Sequence, residues 1–103
     1  MSHAPRRHDR KELELRAQLH HGETACICHV VNISAGGARL RLEPAAPRPV
    51  HDDVVLEIDR FGSFPAIAVW RNGEQLGIQF EMAPETMAEV VMGLAMYSGR
   101  QER

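Results

Sequence analysis

Ile67-Ala68-Val69-Trp70-Arg71-Asn72-Gly73-Glu74-Gln75-Leu76-Gly77-Ile78-Gln79-Phe80 holds two apolar-rich runs, 67–71 and 75–80, parted by Asn72-Gly73. Asn-Gly in that position is the strongest short hairpin signal, because a type I′ turn needs positive φ at both central residues. The stretch predicts two antiparallel strands, with Leu76, Ile78 and Phe80 on one face of the second. Upstream, Val54, Leu56 and Ile58 alternate with polar residues in a strand over 54–59, and residues 60–65 read as a turn or a short irregular strand. Pro44, Pro47 and Pro49 exclude a central strand from 43–53. Ala38, Leu40 and Leu42 alternate with Arg39 and Arg41, a half-buried strand. Asn32 to Gly37 is a turn by composition, and Thr24 to Val31, apolar on both faces, suits a central or covered strand. Leu13, Leu15, Ala17 and Leu19 give the first strand, closed by His20-His21-Gly22.

Downstream of Pro84 the period changes. Met87, Val90, Val91, Leu94 and Tyr97 fall on one stripe of a helix over about 84–97, with Pro84 at its first position and Glu85 at the positive end of its dipole. Gly93 costs this helix about 1 kcal/mol relative to alanine, so it relies on packing. Six short strands, one helix and one core predict a mainly β fold: a six-stranded antiparallel barrel with the helix packed on it or across its opening. The expected organisation is an irregular arm over 1–11, the barrel and helix over 12–97, and a tail over 98–103.

Composition narrows the function. With 103 residues the chain holds one core, and 44% hydrophobic with 25% charged residues is ordinary for a soluble domain. The basic start of the chain has no apolar run behind it, and the longest clean run, 66–70, is far too short to span a membrane. A cytoplasmic location without membrane insertion is expected. The net charge of −2 argues against a general polyanion binder, and five aromatics, mostly at core positions, argue against nucleic acid polymers. Cys26 and Cys28 lie at i and i+2 on one strand, too close for an unstrained bridge, so both are expected reduced. Cys-x-Cys-His matches no standard zinc spacing, so no metal or other cofactor is expected despite six histidines. No nucleophile, base and orienting group stand together, so an enzyme is not expected.

Two short elements remain. Arg6-Arg7-His8-Asp9-Arg10 is an R-x-x-x-R just before the first strand, and Asn32-Ile33-Ser34-Ala35-Gly36-Gly37 is an N-x-S-x-x-G between the second and third. With 11 arginines the first arises about once by chance, whereas the second arises about 0.02 times. Together with Val69-Trp70-Arg71, Gly77-Ile78-Gln79-Phe80 and the closing helix, they resemble the PilZ family over nearly all of residues 6–97. The resemblance implies a split β-barrel that binds the bacterial second messenger cyclic di-GMP and relays it to a protein partner, here unidentified.

The chemistry of the residues agrees with that implication. Cyclic di-GMP is a dianion with two guanines, and Arg6 and Arg10 on an arm suit phosphate, guanine O6 and N7, or stacking on the purine plane. Arg7 lies inside the motif. Asn32 suits a guanine edge, Ser34 offers a hydroxyl, and Gly36 and Gly37 let backbone N–H groups approach a phosphate. Trp70 is a secondary candidate, since a tryptophan on a barrel strand is as readily core. The resemblance also implies, from Pro5 standing before the motif where an arginine could stand, one bound ligand rather than an intercalated pair. The rival expectation is an interaction module of the same fold that binds a protein and no nucleotide.

Overall fold

The computed structural model describes residues 11–44, 46 and 50–101. Its element order is β1 (Lys11–His21), β2 (Thr24–Ile33), β3 (Gly37–Leu42), β4 (Asp53–Ile58), β5 (Gly62–Asn72), β6 (Gln75–Phe80) and α1 (Pro84–Gln101). All strand pairs are antiparallel, and the order β1-β2-β3-β6-β5-β4 closes when β4 returns to β1. This is the expected six-stranded barrel with one C-terminal helix. The β1–β4 seam is short: only Gln18, Leu19 and His20 pair across it, with Glu57, Leu56 and Val55.

The core is the inner wall. Leu19, Val30, Ile33, Leu40, Leu42, Leu56, Ile58, Leu76 and Ile78 are all 3% exposed or less. Phe64 and Phe80 meet edge to face, with ring centroids 6.3 Å apart. Met87, Val91 and Leu94 of α1 join this core, as the helical stripe predicts. Ala35 of the β2–β3 connection and Phe61 of the β4–β5 loop pack against the same cluster, so the helix covers the barrel end that carries both loops. It runs to Gln101, through four of the residues expected in the tail.

Two local expectations change. Asn72 belongs to β5 and pairs with Gln75, so the hairpin loop is Gly73-Glu74 rather than Asn72-Gly73. Only its first central residue has positive φ, Gly73 at 63°, which is the requirement of a type II′ turn. Gly22-Glu23 joins β1 to β2 in the same way, with Gly22 at φ 62°. The second change is that β5 starts at Gly62 and runs through Pro65. Proline is tolerated there because β6 ends at Phe80, opposite Ala66. The Pro65 carbonyl, on that same edge, accepts from the Glu81 N–H beyond the ladder at 3.0 Å.

Gly93 sits in the helix with ordinary φ, and a Cβ there would lie 3.7 Å from Phe61 Cε1, a normal contact. Gly93→Ala should therefore recover the propensity cost, raising the unfolding free energy by about 0.5–1 kcal/mol in denaturant titrations.

Cys26 and Cys28 are both free and both point to the core face of β2, Cys28 buried and Cys26 half-buried. Burial, then the neighbouring Cys26, pushes the Cys28 thiol up to about 12, and burial followed by Glu43 raises Cys26. Each thiol thus holds its proton more tightly folded than unfolded. The resulting stabilisation is complete below the unfolded value of 9.0 and is lost as pH rises from there towards 12. Denaturation midpoints should fall between pH 8 and 10.5, and fall less in Cys28→Ala.

Candidate functional site

Two β-bulges assemble one row of side chains on the outer barrel wall. In β2 the pairing steps from Val30↔Leu40 to Asn32↔Arg39, leaving Val31 as the extra residue. In β5 it steps from Ala68↔Ile78 to Trp70↔Gly77, leaving Val69 extra. Arg39 pairs in turn with Gly77 across β3 and β6. Directly opposed residues of antiparallel strands point to the same side. Asn32, Arg39, Gly77 and Trp70 therefore lie side by side across four strands, facing out. The row below it, Ile33, Ala38, Ile78 and Ala68, faces in and is buried.

Trp70 is 41% exposed, an outer-wall residue and not a core one. Its indole lies across Gly77: a Cβ at Gly77 would fall 2.1 Å from Nε1 and 2.2 Å from Cε2. An aromatic ring over a cross-strand glycine shields the bare backbone, and Gly77 is buried although it faces out. Asn32, Gly37, Ala38, Arg39, Trp70 and Ile78 line a recess of about 390 Å³. Asn32, although it faces out, is buried at 3% exposure. Arg39 places its Nε out of contact with water and with no hydrogen-bond partner among the described residues.

The N-x-S-x-x-G segment is divided by the fold. Asn32 is the penultimate residue of β2, Gly37 opens β3, and both face the recess. Ser34 and Gly36 lie instead against the helix, lining a groove of about 710 Å³ with Ala35, Val91, Met92 and Met96. The Ser34 N–H donates to the Gly37 carbonyl at 2.8 Å, and its hydroxyl lies 3.5 Å from the same oxygen. The Gly36 carbonyl accepts from the Phe80 N–H at 2.9 Å. Positive φ does not explain these glycines or Asn32; left-handed glycines occur at 22, 62 and 73. Gly37 is required by close approach: a Cβ would stand 2.2 Å from the Ile78 carbonyl oxygen of β6.

Arg6, Arg7 and Arg10 lie outside the described residues. Lys11, where β1 begins, pairs with Ile33, so the arginine segment joins the barrel beside the Asn32–Gly37 turn. Among the described residues no group of three His, Cys, Asp or Glu is placed to hold a metal. His20 Nε2 donates to Glu57 at 2.7 Å and His21 Nε2 to Asp52 at 3.0 Å. No described helix is long and apolar enough to cross a membrane.

Arg39 is the residue the sequence analysis did not select. The available signal was its place two residues after Gly37 on the polar face of an alternating strand. Its neighbours in the row become visible only with the register of β2, β6 and β5.

A small closed antiparallel barrel, capped by a helix and carrying an N-x-S-x-x-G turn, defines a class that the comparisons name. The PilZ domain profile matches residues 4–95, and the chain belongs to the PilZ family. No curated protein sequence matches. Among solved structures, the PilZ domain of CeSA from a cellulose-synthesizing bacterium superposes with a TM-score of 0.70 at 15% identity, covering 84% of this chain and 97% of that one. Bacillus subtilis inhibitor of motility, MotI/DgrA, gives 0.65 at 16% identity over 97% of this chain and 54% of its own. Borreliella burgdorferi PlzA, solved in complex with c-di-GMP, gives 0.62 at 14% identity over 85% of this chain and 40% of PlzA. At these identities the likeness is one of fold.

Proposed function

We propose that this chain is a cyclic di-GMP receptor whose ligand lies on the outer barrel wall between the recess and the Arg6–Arg10 segment. The observation that carries the reading is the row Asn32, Arg39, Gly77 and Trp70, which offers an amide, a guanidinium and an indole face around one recess at the end where Lys11 enters. Those groups suit a guanine edge, a phosphodiester and a purine plane. Membership of the PilZ family supports the choice of ligand. Catalysis has no part in this reading: the receptor binds, and a protein partner in the cytoplasm reads the bound state.

Calorimetric titration of cyclic di-GMP into the purified protein tests the reading. Binding at micromolar affinity or tighter is expected, and Arg6→Ala or Arg10→Ala should weaken it at least tenfold, the loss of one charge-assisted contact. Absence of heat and of thermal shift at saturating nucleotide would sink it. Amide exchange of residues 4–11 should also slow on binding if the arginine segment closes over the ligand.

A second reading, an interaction module that binds no nucleotide, draws on the helix. Met92 and Met96 are 64% and 62% exposed beside the groove at Ser34 and Gly36. Exposed methionines suit adaptable protein contacts. The same titration separates the two readings.

A further inference from the structure

We propose that Arg39 is a third ligand-binding arginine, built into the barrel wall, that donates from Nε and the adjoining guanidinium nitrogen to the nucleotide in the recess. The inference rests on the cyclic di-GMP reading above and adds a residue that neither motif contains.

Three observations carry it. The first is position: Arg39 stands between Asn32 and Gly77 in the outward row, one strand from the amide and two from the Trp70 strand. Adjacent strands are about 4.8 Å apart, so Asn32 and Arg39 can reach one base or one phosphate together. The second is the recess, whose lining includes Arg39, Asn32 and Trp70 at once. The third is the state of the side chain. Arg39 is only partly exposed, and its Nε is fully withdrawn from water with no hydrogen-bond partner among the described residues.

A buried donor on a permanently charged group is costly to leave unmade, and native structures rarely tolerate one without a function. Arginine presents five donors in a planar fork that matches a phosphodiester or the O6/N7 edge of guanine. A dianionic guanine nucleotide entering the recess supplies the missing acceptor. Arg39 is held by its strand's pairing to β2 and β6 before any ligand arrives, so little backbone ordering entropy opposes its contact.

Arg39→Gln and Arg39→Lys test this, measured by cyclic di-GMP titration and by thermal unfolding without ligand. Arg39→Gln keeps most of the stem and removes the charge and fork; at least tenfold weaker binding is expected. Arg39→Lys keeps the charge without Nε, and at least threefold weaker binding is expected. Because Nε has no hydrogen-bond partner among the described residues, the melting temperature of Arg39→Gln should equal or exceed that of the natural chain. A purely structural arginine would give the reverse pattern, a lowered melting temperature with unchanged affinity. Should the natural chain bind cyclic di-GMP and Arg39→Gln bind it equally well, the assignment of Arg39 fails while the receptor reading stands. Should the natural chain not bind, both fall. If Arg39→Gln does not fold, Arg39→Lys alone decides, and unchanged affinity there overturns the proposal.

Discussion

Gly37→Ala is expected to lower the melting temperature by about 10 °C or more, the largest effect of any single methyl addition in this barrel. The added Cβ would meet the Ile78 carbonyl oxygen at 2.2 Å and its carbon at 3.3 Å. Both are backbone atoms of β6, and neither can step aside without moving a strand. Gly37 pairs with Gln79, and Ala38 with Ile78, so the displacement would break the ladder where β3 begins. It would also disturb the 2.8 Å bond from the Ser34 N–H to the Gly37 carbonyl that closes the turn. Overpacking of this kind costs about 1–3 kcal/mol, and more where backbone hydrogen bonds are lost. Thermal unfolding followed by circular dichroism checks it; a change of under 2 °C would show that β3 is free to shift.

Gly77→Ala should behave in the opposite manner, leaving the fold nearly intact and removing the site. Here the atoms in the way are Nε1, Cε2 and Cδ1 of Trp70, all within 2.7 Å of the added Cβ. They belong to a half-exposed side chain that can rotate into solvent. The expected stability change is under about 1–2 kcal/mol, from lost indole packing. The indole would leave the recess, and base stacking on an aromatic contributes about 1–3 kcal/mol, so cyclic di-GMP affinity should fall about fivefold or more. Trp70 is the one tryptophan of the chain, so its emission reports the displacement directly, as a red shift in the ligand-free protein. Trp70→Ala should lose as much affinity, and adding Gly77→Ala to it should lose little further, since both act through one contact. A full second loss in the double variant would show that Gly77 meets the ligand through its own backbone.

Why the barrel was legible and the recess only partly so is a matter of strand register. Alternation in β3 and β4, and over Ala17 and Leu19 of β1, placed the core residues on the right face, because those stretches are read by a period of two and their inner faces are apolar. The β6 range came out residue for residue. Trp70 is the instructive difference. Simple alternation from Ala66 and Ala68 carries it to the core, and the bulge at Val69 carries it out. Asn32 is the same case: it follows Val30 by two, and only the bulge at Val31 keeps an amide out of the hydrophobic interior. A bulge depends on the partner strand as much as on its own sequence, so a local pattern does not announce it. The N-x-S-x-x-G spacing was visible, but not its division between two surfaces, with Asn32 and Gly37 towards the recess and Ser34 and Gly36 towards the helix. The Asn72-Gly73 signal located the hairpin correctly and its loop one residue early, since β5 outlasts the apolar run.

The two bulges have a consequence for how such a domain can diversify. Each resets the phase of its strand within one residue, so the inner wall continues unbroken while the outer wall acquires a separate set of side chains. Asn32, Arg39 and Trp70 can thus be exchanged without reworking Ile33, Ala38, Ile78 or Ala68 behind them. Folding and recognition are inherited on opposite sides of the same four strands, and selection can act on one without renegotiating the other.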